Sequence, residues 1–260
     1  YSLDNMDAKD KYVRARLTQI VVAGVNAVAE VSDAVWQLLQ VKMIERLYDK
    51  EAMVRVHAVH ALSRLQSLLV TVALIDEESS NGTTRTKKKS VHELLINVLL
   101  KDPSSEVRKA ALVQIDISPN TVEFVLTRAR DVDPMIRRQF FAQKMQEIDI
   151  QLLSLEQRDY VLKSGLTDRD EMVKKACVEM IFNYWLPKTN SNLVQFLTSL
   201  DVVSNRPVAV NALHAFFGTI PDLFSSFPDS YFDHLTVETA FILTCYCEYV
   251  KDASRVQELL

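Results

Sequence analysis

An aspartate followed six residues later by a basic side chain, with an aliphatic residue just before it, occurs four times. The copies are Asp49 with Val54-Arg55, Asp102 with Val107-Arg108, Asp131 with Ile136-Arg137, and Asp168 with Val173-Lys174. A weaker copy places Val13-Arg14 after Lys9-Asp10-Lys11. Carboxylates and cations at fixed spacing support two kinds of chemistry. They pair through charge-assisted hydrogen bonds, or cations left over from pairing grip phosphate oxygens. The first reading makes Asp49/Arg55, Asp102/Arg108, Asp131/Arg137 and Asp168/Lys174 a structural ladder, each member bonded to the other and to neighbouring repeats. The residue after each ladder base reads Ala15, Val56, Lys109, Arg138, Lys175. Three consecutive repeats thus carry a base that pairing does not require. Such a column suits a phosphate backbone; the alternative is a solvated edge.

Two further basic clusters are candidates for phosphate contact. Lys87, Lys88 and Lys89 lie close to Arg85, and Lys9, Lys11, Arg14 and Arg16 lie near the start. If Arg14 belongs to the ladder, Arg16 and Lys11 are the freer members. The alternatives are a solubilising insertion or part of a localisation signal for the lysine run. Catalytic chemistry finds no footing. His57 and His60 can meet on a helix, but no carboxylate or cysteine joins them at metal-ligand spacing. Cys245-Tyr246-Cys247 lacks a second pair, and no phosphate loop, Gly-x-Ser-x-Gly or His-Glu-x-x-His occurs. The expectation is a protein that is not an enzyme, with no cofactor, no metal and no small-molecule substrate.

Composition points to the elements that hold these residues. The chain has 260 residues, 48% hydrophobic and 25% charged, with a net charge of −4. A molecule of that charge grips a polyanion only through a local patch. Only 4 glycines occur, where average usage predicts roughly 18. Sheets and nucleotide loops need glycine turns, so helices joined by short polar connections are expected. Three cysteines in no framework fit a reducing compartment. No apolar run approaches the ~20 residues of a membrane span, and no membrane partner is expected. The chain starts on Tyr1 and ends within a helical pattern, which reads as a piece of a longer protein.

The periodicity predicts helices over 8–30, with Val13, Leu17, Ile20, Val21 and Val25 on one side, and from Asp33 to about Tyr48. Asp49 and Asp102 are expected to cap the helices after them. Pairs follow over 91–100 and 103–115, 121–129 and 134–148, and 155–165 and 169–186, then 192–200 and 207–217. In the helix over 169–186 the buried stripe is Val173, Ala176, Cys177, Met180, Ile181 and Tyr184, ended by Pro187. An aromatic pair closes the chain beyond a Pro221–Pro228 connector. Residues 76–90 break the pattern and are expected to be a flexible insertion. Leu68–Ile75 is apolar without a clear repeat position. With 15 residues set aside, the repeat steps are about 41, 38, 29 and 37. The expected fold is all-α: one continuous α-solenoid of antiparallel helix pairs over 1–260.

Asp in the turn with Val-Arg six residues on resembles HEAT repeats. The wording is similar to the condensin G-subunit (CAP-G) family in four places, which occur in that family's order. They are Asp49-Lys50 through Ala58–Gln66, Asp102–Lys109, Arg128–Asp133 with Arg137-Arg138, and Gly165–Glu171. The likeness covers roughly residues 7–186, and the family's longer subunits make this an N-terminal portion. The resemblance implies a non-enzymatic subunit that binds the kleisin subunit of condensin and, with it, duplex DNA without base specificity. It implies other condensin subunits as partners through kleisin. It also implies a place in the nucleus, on mitotic chromosomes and in the cytoplasm. The rival is a HEAT scaffold of another class, a transport receptor or phosphatase scaffold, that binds no DNA.

Overall fold

A computed structural model of the chain describes residues 4–27, 33–65, 69–75, 84–203, 206–219 and 235–258. The chain divides into two compact units, Tyr1–Arg128 and Ala129–Leu260. The described residues of each are overwhelmingly helical, arranged as HEAT-type antiparallel pairs, and the fold class is that of an α-solenoid.

The first unit opens with a 3-10 turn, Asp4–Asp7, and α1, Lys11–Ala27. Then come α2, Asp33–Leu47, and α3, Ala52–Leu62. After the insertion follow α4, Val91–Lys101, and α5, Ser105–Gln114. The helices that carry the ladder bases, α1, α3 and α5, pack in sequence; α2 backs α3 and α4 backs α5. Val54, Ala58, Val59 and Leu62 of α3 are buried, with Leu94, Leu95 and Leu99 of α4. α1 departs from its predicted face. Val21 is buried as expected, but the helix also buries Arg14, Ala15 and Thr18, whereas Val13 and Ile20 are exposed. Arg14 is fixed by hydrogen bonds (below), and that bond turns the Arg14 side inward, overriding the apolar pattern.

Part of the expected flexible insertion is a β-hairpin. β1, Leu69–Ile75, pairs antiparallel with β2, Thr84–Ser90, in the register Leu69↔Ser90 to Ile75↔Thr84. Leu-Val-Thr-Val-Ala-Leu-Ile is rich in β-branched residues and carries no helical period. As a strand it supplies backbone partners to a segment with no apolar side chains of its own. Residues 76–83 of the insertion lie outside the described residues.

The first unit ends with a short helix, α6, Val122–Leu126, which runs into a 3-10 turn, Thr127–Arg130. The second unit holds the remaining helices. α7 is Pro134–Ala142 and α8 is Leu155–Leu166. α9, Glu171–Met180, passes into a π-helical turn, Ile181–Trp185, and a last turn, Leu186–Lys188. α10 is Leu193–Leu200, α11 Arg206–Thr219 and α12 Val237–Glu258. The π turn corrects two expectations. Pro187 does not end the helix; it sits in one further turn, since the wide turn before it loosens the ladder of hydrogen bonds that a proline ring would clash with. The extra residue also rotates the face. Val173, Ala176, Cys177, Met180 and Ile181 are buried as expected, but Trp185 is buried in place of the half-open Tyr184.

Aromatic packing closes the second unit. Phe182 and Phe216 lie 4.7 Å apart between centroids, and Phe217 meets Tyr246 edge-on at 5.2 Å. The Pro221–Pro228 connector lies outside the described residues.

Candidate functional site

Each turn of the ladder is built the same way. The aspartate is not the helix N-cap, as its position in sequence suggests; Glu51, Ser104, Asp133 and Asp170 hold that place. Instead one carboxylate oxygen accepts the backbone N–H two residues on. Asp49 accepts from Glu51 at 3.0 Å, Asp102 from Ser104 at 2.9 Å, Asp131 from Asp133 at 3.0 Å and Asp168 from Asp170 at 2.9 Å. These side-chain turns set the chain's entry into the following helix.

The arginine six residues on does not reach its own aspartate's carboxylate. It donates from Nη1 to that aspartate's carbonyl: Arg55 to Asp49 at 2.8 Å, Arg108 to Asp102 at 2.9 Å and Arg137 to Asp131 at 2.8 Å. The other edge of the guanidinium forks onto the aspartate of the following repeat. Arg14 grips Asp49 at 2.7 and 3.0 Å, Arg55 grips Asp102 at 2.8 and 2.9 Å, and Arg137 grips Asp168 at 2.7 and 2.9 Å. Arg14 also donates to the Ala8 carbonyl at 2.9 Å, which makes it a full member of the ladder. The carbonyl at that position needs no aspartate, so the first copy lacks the residue that marks the others.

Lys174 does not join the ladder. Its ammonium bonds Glu171 three residues back. A lysine lacks the planar fork that serves a carbonyl and a carboxylate together. In this stretch Arg158 stitches neighbouring segments, donating to the carbonyls of Ile150 at 2.8 Å and Ser199 at 2.7 Å. Nothing in its sequence context marks Arg158 for this role.

The rungs are dry. The side chains of Arg137 and Asp168 are 6% and 7% exposed. Burial alone would raise the Asp168 carboxyl, but the Arg137 hydrogen bond, the Asp170 N–H and the charges of Arg137 and Arg169 outweigh it, and its pKa lies below the usual carboxylate range. Asp49 is depressed in the same way, with burial opposed by Arg14, the Glu51 N–H and Arg46. A carboxyl depressed in the folded state contributes stability above its unfolded pKa of about 3.9 and loses it as pH falls through the folded value. Unfolding midpoints in urea should therefore be insensitive to these groups above about pH 5 and fall steeply below about pH 4. Asp49→Asn and Asp168→Asn should flatten that acid limb; an unchanged limb in both variants would contradict the assignment.

The proposed phosphate-contact residues stand apart from this dry network. Lys109 on α5, Arg138 on α7 and Lys175 on α9 are all exposed, each one residue past a ladder position. Lys109 and Arg138 have no hydrogen bond or ion pair among the described residues, and Lys175 has only a 4.0 Å approach to exposed Glu179. Within the second unit α7 and α9 pack together, so Arg138 and Lys175 occupy matching places on adjacent helices. Lys11 lies 3.8 Å from Glu51, and Arg16 donates to Gln19 at 2.7 Å; both are exposed. Lys87, Lys88 and Lys89 lie on β2 opposite Val72, Thr71 and Val70.

The remaining candidates are structural. Burial lowers the pKa of His57, helped by the charges of His60 and Arg16, and burial lowers that of His60. Among the described residues no group of three His, Cys, Asp or Glu is placed to hold a metal, and no helix is long and apolar enough to cross a membrane. Cys177 and Cys245 are buried, Cys247 is exposed, and all three are free thiols.

No family model matches the chain. Condensin complex subunit 3 of Schizosaccharomyces pombe is 38% identical over 249 residues, covering 95% of this chain and 27% of the relative. The protein of the same name from Saccharomyces cerevisiae is 32% identical, over 99% of this chain and 25% of its own length. The one from Homo sapiens is 28% identical, over 96% and 24%. The chain thus spans about a quarter of the length of the curated relatives it matches. Among solved structures, the S. pombe condensin Cnd3-Cnd2 subcomplex aligns with a TM-score of 0.85 at 36% identity, over 98% of this chain and 32% of that one.

Proposed function

We propose that this chain is a segment of a condensin subunit of the G type, and that it serves as a non-enzymatic scaffold. In this reading it binds the kleisin subunit and, with it, duplex DNA without base specificity, and it acts in the nucleus and on mitotic chromosomes. The observation that carries the reading is the likeness, along nearly the whole chain, to a structure of a condensin subunit in complex with its partner. The named relatives at 38% and 32% identity support it independently. Kleisin brings the other condensin subunits.

The ladder gives the scaffold a physical basis. Arg14, Arg55 and Arg137 are each committed to two turns, so these cations are unavailable to a ligand. Exposed cations stand beside them, Lys109, Arg138 and Lys175, with Lys11 and Arg16 on α1; the lysine run Lys87, Lys88 and Lys89 lies on β2. Contacts from such side chains to phosphates carry no base information. They show themselves through counterion release, by about 0.9 in the logarithmic salt slope per phosphate.

Fluorescence anisotropy of a labelled duplex at several salt concentrations tests the DNA part, with and without a kleisin fragment. The triple variant Lys109→Glu/Arg138→Glu/Lys175→Glu, still fully helical, should bind about 10- to 100-fold more weakly and show a salt slope shallower by about 2–3. Unchanged affinity and slope would remove these three residues and leave α1 and β2 to account for the contacts. No binding by the unaltered chain, even with kleisin, would favour a protein scaffold without DNA.

A further inference from the structure

The turns of Asp131 and Asp168 in the second unit enclose an open cavity of about 390 Å³, lined by Arg130, Arg137, Ser164, Thr167 and Arg169 with the two aspartates. We propose that this cavity receives a phosphoserine or phosphothreonine side chain presented by a partner peptide. The inference goes beyond the nucleic-acid reading and uses none of its residues.

Arg130 carries the argument. Its guanidinium lies 5.3 Å from the Tyr160 ring centre, and its Nε donates to the buried Ser164 hydroxyl at 3.0 Å. Stacking and that bond fix the plane of the fork. Its Nη1 and Nη2 have no partner among the described residues. A guanidinium already oriented, with two adjacent donors unspent, matches two oxygens of a phosphate at little cost in side-chain entropy. Arg169, exposed and without a hydrogen bond or ion pair among the described residues, lines the same cavity. Asp168 offsets little of this charge, because Arg137 holds both of its oxygens.

The corresponding cavity of the first unit is an internal control. It is lined by Asp7, Ala8, Lys9, Arg14, Arg46, Asp49 and Lys50. There Arg46 is spent on Asp7 at 2.7 Å, on Asp49 at 3.4 Å and on the Met6 carbonyl at 2.8 Å. Lys42 takes the other oxygen of Asp7 at 2.8 Å. In that cavity a carboxylate of the chain itself neutralises the cations, whereas Arg130 and Arg169 have no such partner among the described residues.

A peptide monoester fits better than a nucleic-acid backbone. A phosphomonoester carries about −1.5 to −2 charges at neutral pH, against one for each phosphodiester. The cations here line a concavity, which suits a single phosphate group on a side chain. Val132, 80% exposed, lines the rim and offers apolar contact to a residue flanking the phosphate.

The test is a titration of the chain with O-phosphoserine, followed through the Arg130 Nε–H resonance. A second arm measures anisotropy of a labelled degenerate peptide pool with a central phosphoserine, against the same pool with serine. The Arg130 resonance should move on titration, and the phosphorylated pool should bind in preference. Arg130→Met and Arg169→Met should each weaken that binding by about tenfold or more, as loss of a charged hydrogen bond does. Lys109→Glu/Arg138→Glu/Lys175→Glu should leave it intact, which separates failure here from failure of the DNA reading. Arg169 is exposed, so its variant decides the matter if Arg130→Met does not fold. A still resonance, equal binding of both pools, or phosphopeptide binding unchanged in a folded Arg169→Met would overturn the proposal. Loss of duplex binding in the same variants without any preference for the phosphorylated pool would also overturn it, and would assign the cavity to a nucleic-acid backbone.

Discussion

Asp168→Ala should lower the unfolding free energy of the second unit by about 3–5 kcal/mol, the usual cost of breaking a buried pair from one side. The variant strands the Arg137 fork, whose side chain is 6% exposed, with nothing to receive Nε and Nη2. It also removes the acceptor for the Asp170 N–H and so loosens the turn into α9. Arg137→Ala should cost a similar amount, because it leaves the Asp168 carboxylate buried and the Asp131 carbonyl without its donor. The double substitution Arg137→Met/Asp168→Leu should lose much less than the two single losses summed, since a charge pair replaced by apolar side chains leaves no unpaired ion. Urea unfolding followed by circular dichroism measures all of these. A cost below about 1 kcal/mol for Asp168→Ala would mean that the rung behaves as an exposed surface pair.

Gly165→Ala should be the most damaging glycine-to-alanine change among the described glycines. A Cβ built there lies 2.4 Å from the Cys177 sulfur, 2.6 Å from its Cβ and 2.7 Å from Cζ of Phe141. None of these neighbours is the free end of a flexible side chain. Cys177 and Phe141 are fully buried, in α9 and α7. α8 and α9 must therefore move apart. Overpacking of a close-packed core typically costs about 1–3 kcal/mol, and it must here exceed the gain of about 1 kcal/mol that alanine brings to a helix interior. We expect a net loss of about 2 kcal/mol or more, and a larger one for Gly165→Val. Cys177→Ala in the Gly165→Ala background should recover only part, since it removes the sulfur and leaves the Cβ contact. A neutral or stabilised Gly165→Ala would mean that the helices part at no cost.

The recurrence of the ladder was legible in the sequence, because HEAT-type turns repeat both an aspartate and a base. The direction of its bonds was not. A guanidinium that uses a carbonyl six residues back and a carboxylate 31, 35 or 47 residues ahead gives no local sign of the second partner. Val13 and Ile20 misled for a related reason: one committed arginine outweighed an apolar stripe. The hairpin of β1 and β2 was hidden because its two strands differ so much in composition. The π turn was hidden because a single extra residue leaves the apolar spacing intact up to Ile181 and shifts it only afterwards. Arg130 was visible within Arg128-Ala129-Arg130-Asp131, but its role depends on Tyr160 and Ser164, thirty and more residues away.

Calorimetric titration of the chain with the kleisin subunit shows whether this segment binds it. Saturable binding at one kleisin per chain is expected, in a complex that stays together on size-exclusion chromatography. A chain that is folded by circular dichroism, yet shows neither heat nor co-elution, would contradict the reading of this segment as a kleisin-binding part of condensin.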